Sequence, residues 1–288
     1  MRIIPKVAAI HDMSGVGRCS MTVILPIMSA LGCQVCPLPT AILSNHSEYK
    51  EFYFYDFTEH MKKYYNAWEK NNETFDCVYS GFIGSEKQIN IMMDIIENVK
   101  LKNDALIVVD PVMGDHGLTY KTYTENMINK MNQLVRKADI ITPNLTEASI
   151  LLKKRYCNEH MSIENLKLYL KKLGDMGPRI IVITGVTTEE GEHINVCFDK
   201  KSNEFWKIPF DYVETRYPGT GDLFTALFVG YLFNDKKLPE ALEKSSRFVS
   251  NAVLVTHKAQ TSSSEGVLFE KVIKNLYEEV ENYKYTKI

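Results

Sequence analysis

The chain has 288 residues, of which 45% are hydrophobic and 24% are charged, and we expect it to form one soluble globular domain over residues 1–288. Its 34 Lys and Arg residues against 36 Asp and Glu residues give a net charge of −2, which argues against a nucleic-acid-binding protein because no basic stripe is present. The apolar runs at Val7–Ile10 and Leu223–Phe233 are too short for a secretory signal or a membrane span, so we expect a cytoplasmic protein without membrane contact.

Short apolar or β-branched runs alternate with longer helical patterns along the chain. The predicted strands, in chain order, are Val7–Ile10, Gln34–Thr40, Cys77–Ser80, Ala105–Val109, Ile140–Thr142, Ile180–Thr184 and Ile194–Phe198. The predicted helices are Ser20–Leu31, Thr58–Lys70, Glu86–Val99, Glu125–Lys137, Thr146–Lys154, Ile163–Leu173, Asp222–Phe233, Pro239–Thr256 and Gly266–Glu281. This alternation is typical of crossover units, so it predicts an α/β fold around a mainly parallel sheet.

The stretches His193–Asp199 and Glu204–Pro209 have the pattern of a hairpin, which predicts an antiparallel edge on that sheet. In open sheets of this kind, ligands bind beyond the carboxyl ends of the strands. Polar or Gly-rich segments that directly follow strands are therefore the candidate site. There are five such segments, at residues 11–20, 44–49, 110–117, 142–147 and 219–222.

The strongest of these segments is the Gly-rich turn Gly219-Thr220-Gly221-Asp222, which precedes a strongly apolar helix. The unpaired N–H groups and the dipole of a helix N-terminus attract anions, and glycines let a phosphate approach the backbone closely. A carboxylate in that turn can accept a substrate hydroxyl proton during phosphoryl transfer. The alternative is an ordinary helix start capped by Thr220 or Asp222, and the local pattern favours neither interpretation.

Two acidic residues, Asp110 and Asp115, flank a Pro-Gly turn after a buried strand. They could hold Mg²⁺, which binds one or two carboxylates together with phosphate oxygens, or they could be solvated acids of an Asp-Pro turn. The polar stretch 116–120 that follows has the composition of a lid that excludes water.

Asn144 and Glu147 follow the strand that ends at Pro143. Asn144 could contact phosphate oxygens, and Glu147 could organise water bound to a metal. Thr146 could cap the next helix, and for this segment taken alone capping is the favoured interpretation.

The segment His11–Ser20 approaches the dinucleotide pattern G-x-G-x-x-G, but Ser20 occupies the third glycine position, and the chain lacks the Gly-Lys-Ser/Thr of a P-loop. Asp12 and Ser14 are instead candidates for hydrogen bonds to a polar substrate, unless this loop only closes onto the next helix.

The Cys33–Cys36 pair has no second pair at zinc spacing, so we expect the cysteines to pack in the core.

Four motifs, taken in their order along the chain, resemble the vitamin-kinase branch of the ribokinase-like superfamily, and most of all the pyridoxal kinases. They are Ser44–His46, Asp110–Asp115, Ile141–Asn144 and Gly219–Phe224. The resemblance implies a three-layer α/β/α sandwich around a central, mainly parallel sheet, and a homodimer. It also implies transfer of the ATP γ-phosphate to the 5′-hydroxymethyl group of pyridoxal, pyridoxine or pyridoxamine. The cofactor it implies is Mg²⁺, and a requirement for a monovalent cation such as K⁺ is left open.

The resemblance also implies roles for individual residues. Asp222 matches the catalytic base, and the hole that stabilises the transferring phosphoryl group matches Gly219, Thr220 and Gly221. Residues that match the nucleotide region are Asp110, Asp115, Asn144, Glu147, Thr184, Val213, Glu214 and Thr215. The metal is expected near Asp110, Asp115 and Glu147, and the substrate ring is expected near Asp12, Ser14, Ser47 and Phe82.

Two other functions stay open at this point. Hydroxymethylpyrimidine kinases use the same catalytic parts on a pyrimidine ring, and the segment Asp12–Gly15 is similar to theirs, whereas Ser44–His46 favours the pyridine ring. A non-catalytic sensor that binds a vitamer or a nucleotide is compatible with the fold, but binding alone needs no base at Asp222.

Overall fold

The structure is a computed structural model that describes residues 3–156 and 160–288. Of the six cysteines, Cys157 lies outside the described residues. Cys19, Cys33, Cys77 and Cys197 are buried, as expected for core packing, and none of the described cysteines forms a disulfide.

One large sheet runs through the described residues, and a small hairpin stands beside it. The strands are β1 (Lys6–Val16), β2 (Gln34–Asn45), β3 (Phe54–Asp56), β4 (Cys77–Ser80), β5 (Leu106–Val109), β6 (Gly114–Asp115), β7 (Leu118–Thr119), β8 (Ile140–Ile141), β9 (Ile180–Thr187), β10 (His193–Asp199), β11 (Glu204–Pro209) and β12 (Thr286–Lys287). The order in the large sheet is β12-β11-β10-β9-β8-β5-β4-β1-β2-β3, and β6 and β7 form a separate two-stranded sheet.

The centre of the sheet, from β2 to β9, is parallel, and both of its sides are antiparallel. The predicted parallel sheet and the predicted hairpin of β10 and β11 are therefore confirmed. Parallel strands place their carboxyl ends at one edge of the sheet, so the five candidate segments are brought to the same side of the molecule.

Helices cover both faces of the sheet. They are α1 (Met21–Ala30), α2 (Thr58–Lys70), α3 (Glu86–Lys102), α4 (Glu125–Val135), α5 (Leu145–Leu151), α6 (Ile163–Met176), α7 (Thr220–Phe233) and α8 (Leu238–Ala259). Alternate β1 side chains enter the two cores, since Ala8 and Ile10 pack with α2 to α6 while Val7 and Ala9 pack with α1, α7 and α8. The three-layer α/β/α fold is thus confirmed.

The prediction of an α-helix over Gly266–Glu281 is wrong. This region contains short 3₁₀ turns at Phe269–Lys271 and Ile273–Tyr277, and another turn at Ser263–Glu265 precedes it. Its apolar residues Val267, Phe269, Val272 and Leu276 still pack under α7 and α8, so the periodic pattern reported burial correctly but not the helix type.

Helix α7 is buried along most of its length, from Leu223 to Tyr231. This explains its continuous apolar sequence without a membrane, because a helix enclosed by sheet and helices is apolar all round. No helix in ranges 3–156 and 160–288 is both long and apolar enough to cross a bilayer.

Candidate active site

The Gly-rich turn lies at the start of α7, with Gly219 as the residue before the first helical residue. Gly219 has a φ of 78°, and a Cβ atom there would lie 2.2 Å from the carbonyl oxygen of Arg18. Only glycine fits both the left-handed backbone and this close approach. Neither predicted cap is present, since the Thr220 hydroxyl donates to the carbonyl of Tyr217 and the Asp222 carboxylate turns toward another loop.

The Asp222 carboxylate is held by the start of α1. Its Oδ2 atom accepts a 2.7 Å hydrogen bond from the backbone N–H of Ser20. Its Oδ1 atom lies 3.9 Å from Nδ1 of His11, and no hydrogen bond among the described residues reaches it. Burial raises the pKa of Asp222 to about 6, the Ser20 N–H lowers it, and the Asp12 charge raises it. Because burial also lowers the pKa of His11 to about 3, that imidazole is neutral beside the carboxylate.

Asp12 lies at the end of the regular part of β1 and is buried. Its Oδ1 accepts a 2.6 Å hydrogen bond from the hydroxyl of Ser20, and its Oδ2 accepts a 3.2 Å bond from the hydroxyl of Ser14. Burial raises the pKa of Asp12, and the two hydroxyl donors oppose that rise. The predicted substrate contacts Asp12 and Ser14 are therefore brought together, and Ser20 connects them to Asp222.

Asp110 lies opposite the turn, with Oδ2 3.8 Å from the position that a Cβ atom of Gly221 would take. Burial raises the pKa of Asp110 well above its ordinary value, and the charges of Glu147 and Asp222 raise it further. No hydrogen bond among the described side chains reaches this carboxylate. A carboxylate that is buried among other acids and lacks a donor suits a divalent cation, so Asp110 fits the predicted magnesium site.

Glu147 is committed to the start of α5 instead. It forms a capping box with Asn144, in which each residue's backbone N–H donates to the other's side chain at 2.9 Å, and its Oε1 accepts from Met113 N–H. Burial raises its pKa to about 8, although these N–H donors lower it. The favoured capping interpretation is confirmed, except that the cap is Asn144 rather than Thr146, whose hydroxyl accepts from Gly117 N–H.

Asp115 lies in the β6–β7 hairpin, and its charge contributes to the raised pKa of Glu147. Its Oδ2 is 3.5 Å from Nε of Arg216, and Arg216 also reaches Oε1 of Glu48 at 3.6 Å. Arg216 therefore spans the acidic turn and the segment after β2. Among the residues that the structure describes, no three His, Cys, Asp or Glu side chains form a group that could hold a metal, so Asp110, Asp115 and Glu147 do not form a joint cage.

The remaining predicted nucleotide residues lie in β9 and in the segment that precedes α7. Thr184 lies in β9 and forms a parallel bridge with Asn144. Val213, Glu214 and Thr215 lie in the irregular segment between β11 and α7, where Thr215 N–H donates to the carbonyl of Val213 at 2.7 Å.

The predicted ring contacts Ser47 and Phe82 lie after β2 and β4. Ser47 is exposed in a turn, and Phe82 is half-buried with its carbonyl accepting from the Thr40 hydroxyl at 3.0 Å. The preceding His46 is fixed by a 2.6 Å contact between Nε2 and the carbonyl of Ser264, which holds this segment against the C-terminal 3₁₀ turn.

Sequence reasoning missed Ser20, His11 and Arg216. The sequence indicates Ser20 as the start of a helix and as a departure from a dinucleotide motif, whereas its contact with Asp222 spans 202 residues. The one sequence signal for these two other residues is their position. His11 directly follows the predicted strand Val7–Ile10, and Arg216 shortly precedes the Gly-rich turn.

A mainly parallel α/β sheet with a Gly-rich helix start and a carboxylate beside it is the architecture of small-molecule kinases of the ribokinase-like superfamily. The sequence matches the phosphomethylpyrimidine kinase family over residues 25–267, so the chain belongs to that family. Within it, the chain groups with the pyridoxal kinases and is a kinase of that type.

Individual relatives support this assignment. The pyridoxal kinase PdxY of Actinobacillus pleuropneumoniae serotype 5b (strain L20) is 30% identical over 80% of this chain and 81% of its own length. A Bacteroides thetaiotaomicron VPI-5482 protein, provisionally named a phosphomethylpyrimidine kinase and crystallised with pyridoxal, is 41% identical with a TM-score of 0.94, covering 99% of this chain and 100% of its own. Pyridoxal kinase from Lactobacillus plantarum is 26% identical with a TM-score of 0.85, covering 94% and 96%.

The two glycines of the turn should respond differently to substitution. We expect Gly219→Ala to lower the free energy of unfolding by roughly 2–3 kcal/mol, because the new Cβ meets backbone in a left-handed conformation. Gly221→Ala should leave it unchanged or raise it slightly, since its Cβ makes an ordinary 3.8 Å contact within a helix. Urea denaturation of both variants measures this difference, and equal losses would contradict the geometry of the turn.

Proposed function

We propose that the protein transfers the γ-phosphate of ATP to the 5′-hydroxymethyl group of pyridoxal, pyridoxine and pyridoxamine. The observation that carries this proposal is the Asp222 carboxylate, held beside the Gly219–Gly221 turn by one oxygen with the other oxygen available. Membership of the pyridoxal kinases supports the choice of acceptor.

In this proposal the γ-phosphate lies over the backbone N–H groups at the start of α7. Oδ1 of Asp222 accepts the proton of the substrate hydroxyl while the hydroxyl oxygen attacks the γ-phosphorus. At the same time the bond between that phosphorus and the oxygen that bridges it to ADP breaks, and ADP leaves. The N–H groups and the helix dipole offset the charge on the migrating group. The neutral His11 beside Oδ1 adds no positive charge that would weaken the base.

Asp110 is the residue that we propose as the Mg²⁺ ligand, since none of the described residues donates a hydrogen bond to its carboxylate and the carboxylate faces Gly221. The ion would offset charge on the ATP phosphates. Glu147 acts through the capping box and through water rather than as a direct ligand, because backbone N–H groups occupy both of its oxygens. A requirement for a monovalent cation such as K⁺ stays open.

The substrate ring is proposed to bind between the C-terminal ends of β1 and β2. Asp12 and Ser14 provide polar contacts, while Ser47 and Phe82 approach from the other side. On the nucleotide side, the proposed contacts are Asp115, Asn144, Thr184 and the segment 213–215. The family is named for a pyrimidine kinase, so hydroxymethylpyrimidine is the competing acceptor.

Single-domain organisation, a homodimer and a cytoplasmic location stay predictions. One sheet extends from Lys6 to Lys287, which supports a single domain.

Met13, Ile42 and Tyr55 stand side by side across β1, β2 and β3, and each is 40% exposed. This apolar row on the outer face of the substrate-side strands is a surface that a second copy could cover.

A substrate panel tests the proposed acceptor. With MgATP, we expect vitamer-dependent ADP formation with pyridoxal, pyridoxine or pyridoxamine, and a kcat/KM for the best vitamer at least about tenfold above that for hydroxymethylpyrimidine, which corresponds to about 1.4 kcal/mol. A preference of that size for the pyrimidine would assign the protein to thiamine synthesis. No acceptor-dependent ADP with any of these compounds would favour the non-catalytic sensor.

Substitution of the base tests the role of Asp222. We expect Asp222→Asn to reduce kcat by about 10²-fold or more while the Kd for ATP changes little, because the amide keeps the shape but cannot accept the hydroxyl proton. Asp104→Asn is a matched control, since Asp104 is exposed at the opposite edge of the sheet. Near-normal turnover of the purified Asp222→Asn protein would refute this assignment.

The pH dependence of turnover follows from the pKa of Asp222. A base must be deprotonated, so activity is lost as pH falls through its pKa, and kcat/KM should decrease about tenfold per pH unit below a midpoint near pH 6. An ordinary exposed aspartate would place that midpoint near pH 4. A pH profile of kcat/KM distinguishes the two, and a plateau that extends to pH 4.5 would contradict the buried environment of Asp222.

A further inference from the structure

Ser20 differs from the other serine and threonine residues that precede α-helices in the described part of the chain. Ser85, Thr124 and Ser162 have extended backbones, and their side chains accept hydrogen bonds from their own helices. Ser20 has a φ of 47° and a ψ of −128°, and its side chain makes no capping bond. Its conformation is disfavoured for any residue except glycine, and such strain persists only where surrounding contacts hold it.

The contacts that hold Ser20 are bonds to two buried carboxylates. Its backbone N–H donates to Oδ2 of Asp222 at 2.7 Å, and its hydroxyl donates to Oδ1 of Asp12 at 2.6 Å. The first turn of α1 does not need the side chain, because the N–H groups of Val23 and Ile24 both reach the carbonyl of Ser20. The unusual backbone therefore serves to aim two donors at two acids rather than to begin the helix.

We propose that Ser20 is the positioning residue that couples ring binding to the base. Its hydroxyl orients Asp12 toward the vitamer ring, and its N–H fixes Oδ2 of Asp222 so that Oδ1 faces the hydroxymethyl group. This inference rests on the proposed function for the identity of the substrate, but its geometry does not depend on it.

The two halves of this role respond to different substitutions. Ser20→Ala removes the hydroxyl bond to Asp12 that holds the strained backbone, so the backbone relaxes to negative φ and its N–H turns away from Asp222. Ser20→Gly also removes the hydroxyl, but glycine adopts positive φ without strain, so the N–H stays in place. Both variants lose the orientation of Asp12, and only the alanine variant loses the orientation of Asp222.

Steady-state kinetics with pyridoxal and MgATP test this separation. We expect KM for pyridoxal to rise about tenfold or more in both variants, since each loses a hydrogen bond to a charged group. We expect kcat to fall about tenfold in Ser20→Ala and by less than about threefold in Ser20→Gly, with KM for ATP unchanged in both. Wild-type constants in Ser20→Ala, or equal kcat losses in the two variants, would overturn the proposal.

A double-mutant cycle and a matched control complete the experiment. In an Asp12→Asn background, Ser20→Gly should raise KM for pyridoxal no further, and full additivity would contradict a role through Asp12. Ser162→Ala is the control, because it removes a true cap and should lower the melting temperature by about 2–4 °C without changing either kinetic constant. Pyridoxal binding followed by absorbance gives Kd values for the wild type and both variants without turnover. An inactive wild-type protein would therefore count against the proposed function, while the Kd values still decide the role of Ser20.

Discussion

Crowding of negative charge at one edge of the sheet is the constraint on which this site depends. Asp12, Asp110, Glu147 and Asp222 are largely buried there, burial raises the pKa of each, and no Lys or Arg within the described residues forms an ion pair with them. Backbone N–H groups and hydroxyls at strand ends and helix starts hold three of them, while no donor in the described part of the chain reaches the Asp110 carboxylate. A cation that arrives with phosphates would relieve this crowding. The arrangement therefore suits MgATP and a catalytic base better than a non-catalytic sensor that only binds a vitamer.

The starts of α5 and α7 show how one local pattern produces two outcomes. Both present a carboxylate within the first turn after a polar residue. At α5 the Glu147 carboxylate returns to its own helix and forms a capping box with Asn144. At α7 the Asp222 carboxylate leaves its helix and is held by Ser20, so it stays available for a substrate. The difference lies in a neighbouring element, which explains why the local sequence around Asp222 could not separate a cap from an active site.

The sequence predicted the central strands, the β10–β11 hairpin and most helices well, because alternation and helical periodicity report directly which side chains are buried. The pattern does not predict the short edge strands β3 and β12, because their exposed residues show no alternation of apolar and polar side chains. It predicts an α-helix over Gly266–Glu281, where the same apolar spacing also fits the 3₁₀ turns that are present. Motif order located the turn, the acidic segment and the Asn144 segment. It could not indicate that Ser20 joins Asp12 to Asp222, since that contact depends on a positive φ at a serine and on packing between β1, α1 and α7.

The most direct test of this account is a crystal structure of the protein with Mg²⁺, a non-hydrolysable ATP analogue and pyridoxal. We predict the terminal phosphate over the N–H groups of Gly219 to Gly221, with the 5′-hydroxyl oxygen within hydrogen-bonding distance of Oδ1 of Asp222, about 2.5–3.0 Å. Phosphates bound at the Gly15–Gly17 loop, or a hydroxymethyl group directed away from Asp222, would contradict it.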